Sequence, residues 1–327
     1  MSETALRRSR RRRTSVLAAT AAGIIATTTL IAVGTLFAHA AESSPVGFAS
    51  LNGGTSGGSS STTVTVTTAS ALKSALSSST SQTVRVSGLI SISGMYSVAS
   101  NKTVIGVGSG SGITGGGLNL SGVRNIIIRN LRFTNAGDDS INVQSSTTNV
   151  WIDHNDLSNG YDGLIDIKRG SDFITVSWNR LHNHDKSMLL GHSDDNASED
   201  TGHLRVTYVH NWFEGTGQRH PRVRFANPVH VLNNYYSNIG SYGVASTENA
   251  GVFVERNYFE NVANPTVTQT GDSDSGNLKV LNNYKVNSGT EQVRNGASVA
   301  AIPYSYTPES NNTVKATVQA GAGTGKI

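Results

Sequence analysis

TNVWIDHNDL (148–157), FITVSWNRL (173–181), HLRVTYVHNWF (203–213), PVHVLNNYY (228–236) and GVFVERNYF (251–259) are five versions of one phrase. Each alternates β-branched or apolar residues, then gives an Asn, then an aromatic residue or leucine. Weaker copies flank them, RNIIIRNLRF upstream and NLKVLNNY downstream. The recurring asparagines stand at 130, 155, 179, 211, 234, 257 and 283, separated by 25, 24, 32, 23, 23 and 26 residues. Alternation with period two marks a strand. Recurrence at this interval marks a solenoid, in which each unit buries its apolar face against its neighbours. Leucine-rich repeats share the period, but their leucine signature and alternating helices are missing. The pattern predicts an all-β right-handed parallel β-helix. The repeated Asn reads as a structural corner residue: it tolerates unusual backbone angles, and stacked amides hydrogen-bond from coil to coil.

Upstream of the repeats, VTV (64–66) reads as a short strand and ASALKSALSS (69–78) as a short amphipathic helix. Thr67-Thr68 supplies the N-cap and Leu72, Ala75 and Leu76 the apolar stripe. Such a helix suits the exposed end of a solenoid, whose terminal unit needs a cap. Residues 42–61 are rich in Gly and Ser and read as a loosely ordered lead-in.

Residues 1–40 read as a cleaved export signal. Arg7, Arg8, Arg10, Arg11, Arg12 and Arg13 form a basic region, 16–37 an apolar run, and Ala38-His39-Ala40 a peptidase site. The expected product is secreted, with 41–327 as a single domain and no membrane attachment once the signal is removed. The segment contributes six arginines and Glu3, or +5 of a total of +4, so the remaining chain stands at −1. The basic balance therefore belongs to the signal and gives no ground for nucleic-acid binding. Cysteine is absent, so packing and backbone hydrogen bonds must hold a secreted fold that elsewhere uses disulfides.

Four charged residues keep time with the coils: Asp139, Asp162, Lys186 and Arg219, at steps of 23, 24 and 33 residues. The long step carries a polar insert, HSDDNASEDT (192–201). On successive coils these side chains line one face at the ~4.8 Å spacing of neighbouring strands. In YDGLIDIK, Asp162 and Asp166 are four apart and share a face in extended chain, with Asp139 entering from the preceding coil. Three converging carboxylates make a hard oxygen site suited to Ca²⁺. Asp138 could join them, though strand alternation turns it to the opposite side. Downstream, GQRHPRVRF (217–225) brings Arg219, Arg222 and Arg224, a cluster suited to gripping carboxylates. No HExxH or GxSxG spacing is present, His154 reads as structural, and Trp151, Trp178 and Trp212 read as packing residues, with sugar stacking open for Trp212.

The motifs WIDH, DGLIDIK, LLGHSD and RHPRVR together resemble those of the secreted pectate lyases of the parallel β-helix polysaccharide lyase superfamily, over residues 46–327. Carried over by position, the resemblance implies Asp139, Asp162 and Asp166 as Ca²⁺ ligands, Arg219 as catalytic base, and Lys186 and Arg224 as substrate-binding cations. Some members have a further aspartate where this chain has Gly137. That departure implies weaker resting calcium affinity, or a shell completed by water and substrate. The implied reaction is β-elimination on α-1,4-linked polygalacturonate, by a monomer. It demands an arginine able to lose a proton it normally keeps beyond pH ~12, hence an alkaline optimum. A calcium-independent pectin lyase has no use for the three aspartates. A polygalacturonase, a hydrolase using paired carboxylates, finds a faint echo in Gly137-Asp138-Asp139 and Gly191-His192, but its Asn-Thr-Asp and Arg-Ile-Lys segments are missing. A non-catalytic β-helical carbohydrate-binding protein would keep the repeats without needing Arg219.

Overall fold

The computed structural model describes residues 42–327, so the signal segment read at 1–40 lies outside the described residues. The chain winds as a right-handed parallel β-helix with few helical elements. Each central coil lays down three short strands. One sheet of ten strands runs from Thr63–Val66 to Asn277–Leu281. The remaining 15 strands join through the long strand Gly112–Ser121. Its first half continues into a stack ending at Tyr284–Val286; its second half continues into a stack beginning at Ile141–Gln144. The latter stack carries the candidate site and is called the site face.

Strand alternation fills the interior with rows of like residues. Val104, Ile128, Ile152, Val176, Tyr208, Val231 and Val254 pair in register along the ten-stranded sheet, all fully buried. Phe213, Tyr236 and Phe259 stack at centroid distances of 4.9 and 4.5 Å in a second row. Each such side chain contributes roughly 1.5–3 kcal/mol of burial.

The asparagine ladder forms as expected, with one correction. Amide Nδ2 groups donate to the next Oδ1 at 2.9–3.0 Å from Asn155 through Asn179, Asn211, Asn234 and Asn257 to Asn283. Asn130 is not a rung. Leu131 stands at that level, its N–H donating to Asn155 Oδ1 at 3.1 Å. Asn130 instead aligns with His154, Trp178, His210 and Arg256, which carry the left-handed backbone of this corner at φ 50–55°. The ladder asparagines follow that turn rather than make it. A second left-handed corner falls at Asn135, Asn159, Asn183, Asn238, Asn261 and Asn287.

The first coil is capped by the helix Ala69–Ser77, with Thr68 Oγ1 accepting from Ala71 N–H and Leu72, Ala75 and Leu76 buried beneath it. The lead-in is ordered where a loose segment was expected. Phe48 and Ala49 are fully buried, and their N–H groups donate to Thr207 Oγ1 and Thr175 Oγ1 on the ten-stranded sheet. A helix absent from the sequence reading, Val314–Gly321, packs with Tyr235, Trp212 and Tyr258. Trp212 is thereby a packing residue on a face other than the site face.

Candidate active site

On the site face, Asn142, Asp166, Leu189 and Arg222 pair in register on four successive coils. The corners feeding these strands carry the other charged residues. Backbone bonds run from Ser140 N–H to Gly163 O (3.2 Å), from Leu164 N–H to Ser187 O (3.1 Å) and from Met188 N–H to Arg219 O (2.7 Å). Asp139, Asp162, Lys186 and Arg219 thus emerge from adjacent coils. Between the bridge Lys186–Gln218 and the pair Leu189–Arg222 the later coil carries one extra residue. Arg219 takes up that irregularity at φ 66°, in the left-handed region.

One carboxylate oxygen from each of Asp138, Asp139 and Asp162 lies within 4.8 Å of the others. Asp166 sits directly beside this group. A methyl placed on Gly163 would meet Asp166 Oδ1 at 2.2 Å and Asp139 Oδ1 at 2.8 Å. Glycine is therefore the residue that lets the two carboxylates approach. Asp139 is buried, accepts from Gly163 N–H at 2.9 Å and pairs with Lys168 at 3.3 Å. Burial pushes its carboxyl above the usual range, with Lys168 opposing. Burial and then the charge of Asp139 push Asp166 up as well. Its Oδ1 accepts from Leu189 N–H at 3.3 Å. Asp162, half exposed, is held low chiefly by the hydrogen bond from Lys186 Nζ, at 2.9 Å. Crowded carboxylates with raised proton affinity are what a cation would relieve, and an all-oxygen set suits a hard divalent ion.

Arg219 and the acid group lie close enough that its charge lowers the proton affinity of Asp162 and Asp166. Its Nε is buried with no hydrogen-bond partner among the described residues. His220 behind it is fully buried. Its ring nitrogens reach Thr216 Oγ1 at 2.8 Å and Tyr242 O at 2.9 Å. Arg222 and Arg224 flank the core residue Val223 and project outward together, as alternation required. Arg224 is buried, its Nη1 donating to Gly191 O at 2.9 Å and its Nε to Asp194.

The structure brings Asp139, Asp162, Asp166, Lys186 and Arg219 together, with Arg224 further along the same face. It also corrects the placing of Asp138. That residue lies in a corner, where strand alternation does not apply, and it joins the acid group instead of turning away. His220 and Asp194 lie inside the quoted motifs RHPRVR and LLGHSD, but their partners are decided by loop geometry that spacing does not reveal.

Acids and cations from successive coils thus meet on one face of a β-helix. The pectate lyase family profile matches residues 13–327. A probable pectate lyase B of Aspergillus terreus is 38% identical over 277 residues, 81% of this chain and 84% of its own. A pectate trisaccharide-lyase of Bacillus licheniformis is 35% identical over 306 residues, 88% of each. The crystal structure of a Bacillus sp. N165 pectate lyase in complex with trigalacturonate is similar at a TM-score of 0.77 and 33% identity. It covers 86% of this chain and 99% of that one. The chain belongs to the pectate lyase family, and so to the polysaccharide lyases.

Proposed function

We propose that this chain cleaves α-1,4-linked polygalacturonate by β-elimination, with Ca²⁺ held by Asp139, Asp162 and Asp166 and, additionally, Asp138. The observation that carries the reading is the acid group lying against Lys186 and Arg219 on successive coils. Bound calcium would supply a Lewis acid and a template for the uronate carboxylate. Lys186 and Arg224 hold uronate carboxylates of the chain lying in the groove. Arg219, in its neutral form, takes the C5 proton of the bound sugar. The C5–H electron pair becomes the C4–C5 double bond, and the C4–O pair leaves with the glycosidic oxygen, which is protonated from water. Arg219 Nε has no hydrogen-bond partner among the described residues, so that side of the guanidinium is not committed to a neighbour. Since the base must shed a proton that arginine normally keeps, the rate rises toward alkaline pH.

The reading includes a cleaved signal at 1–40, a secreted monomer of one domain over 41–327, and polygalacturonate as the partner rather than nucleic acid or membrane. Among the described residues no helix is long and apolar enough to cross a membrane. The test is ultraviolet absorbance of unsaturated product from de-esterified polygalacturonate, with calcium and then with a chelator. Calcium-dependent absorbance supports the reading. Reducing ends without absorbance would mean a hydrolase, and chelator-indifferent absorbance larger on methylated pectin would mean a pectin lyase.

A further inference from the structure

The polar insert at 192–201 does more than lengthen a coil. Its Asp194 carboxylate accepts from Arg224 Nε and from the hydroxyl of Ser273, at 2.8 and 2.9 Å to its two oxygens. Ser273 Oγ in turn accepts from Arg222 Nη2 at 2.7 Å, while the same amine reaches Thr270 O at 3.3 Å. Ser273 is almost wholly buried. Its one hydroxyl proton goes to Asp194 and its lone pair receives Arg222, so the serine is satisfied in one orientation only. One carboxylate thereby fixes two guanidiniums, one directly and one through a relay.

The geometry leaves Arg224 with a defined remainder. Nε is engaged by Asp194 and one Nη1 proton by Gly191 O, which leaves Nη2 and the second Nη1 proton uncommitted among the described residues. The remaining Nη protons are donors of the kind that match a carboxylate. Two guanidiniums and one aspartate carry a net +1, the charge that matches one uronate.

We propose that Asp194 and Ser273 are positioning residues that set the Arg224 fork, with Arg222 beside it, to receive one uronate carboxylate. This rests on the polygalacturonate reading above. The polar insert is then part of substrate recognition.

The test combines steady-state kinetics on polygalacturonate with calorimetric titration of trigalacturonate, which needs no turnover. Losing a hydrogen bond to a charged group at this strength predicts that Asp194→Ala raises KM and the trigalacturonate Kd about tenfold, with kcat changed less than about threefold. Asp194→Asn keeps an acceptor and is expected to restore part of the loss. Ser273→Ala raises KM about threefold, and the Asp194→Ala/Ser273→Ala double variant loses no more than Asp194→Ala alone, because the two act as one unit. Unchanged or tighter binding in Asp194→Ala overturns the proposal, as does an additive double variant. If Asp194→Ala does not fold, Ser273→Ala and Asp194→Asn carry the same comparison. Wild-type protein that binds trigalacturonate but releases no unsaturated product would sink the lyase reading and leave the arginine assignment standing. Failure to bind trigalacturonate would sink both.

Discussion

Gly163→Ala is expected to disable the acid group while leaving the coil folded. Gly163 is absent from the left-handed glycines, so alanine fits its backbone. The obstacle is space: the new methyl would stand 2.2 Å from Asp166 Oδ1, against 3.4 Å for ordinary contact, so that carboxylate must retreat by roughly 1.2 Å. Asp139, at 2.8 Å, must also give way, and both aspartates are buried with little room to move. Displacements near 1 Å at a reacting centre cost about a hundredfold in rate. Overpacking of this size costs about 1–3 kcal/mol of stability. The expected result is a loss of about two orders of magnitude in kcat/KM, a calcium requirement shifted to higher concentration, and a modestly lower Tm. Initial rates from unsaturated product across a calcium titration, paired with thermal unfolding, read all three. Gly137→Ala is the control, because its methyl meets only Gly115 O at 3.6 Å and should leave activity within twofold, roughly the limit of assay error. Gly163→Ala enzyme retaining wild-type kcat/KM and calcium dependence would refute the convergence of Asp139 and Asp166 on a shared ion.

Three further outcomes are expected. Asn211→Ala removes the donation to Val176 O and breaks the amide ladder on both sides, all buried. Urea unfolding should show a loss of about 3–4 kcal/mol, well above that for Asn283→Ala at the partly exposed end of the ladder. Burial pushes the His220 imidazole down to about 4. Between that value and an unfolded pKa of about 6.5 the unfolded chain binds more protons, so stability falls as pH drops through this window. The loss is of order 3 kcal/mol, and the pH slope of His220→Gln, compared by urea midpoints, should be flatter there. Asp138→Asn should weaken calcium binding about tenfold by calorimetry, and an affinity equal to wild type would return Asp138 to the role of a surface residue.

The fold was legible because its signal is repeated. Seven phrases at a near-regular interval, without a leucine signature, pointed to a β-helix, and the capping helix and its Thr68 cap fall within a residue of their observed ends. The error at Asn130 arose because adjacent corner positions both favour Asn, one for its left-handed backbone and one for its stacking amide. Spacing alone cannot separate them by one residue. Alternation mispredicted Asp138 because residues 135–140 turn a corner and have no strand pleat to obey. The lead-in was read as loose from its Gly and Ser content, yet glycine there permits close docking: a methyl on Gly47 would strike Thr207 at 2.4 Å. Asp194 pairs across 30 residues within an insert that has no counterpart in other coils, so no periodicity could point to it.

Because Asp139, Asp162, Lys186 and Arg219 come from four consecutive coils, the chemistry is counted in whole turns. A duplicated or deleted turn outside 139–224 leaves acid and base in register, although one between 224 and 273 moves Ser273 away from Asp194 and Arg222. The same edit inside that interval separates acid from base by one strand spacing and ends activity, however well the product folds. Loops on the central turns can lengthen, as the 192–201 insert does, since a longer loop leaves the turn count unchanged. The protein is thus elastic in length at its two ends and rigid in number at its middle.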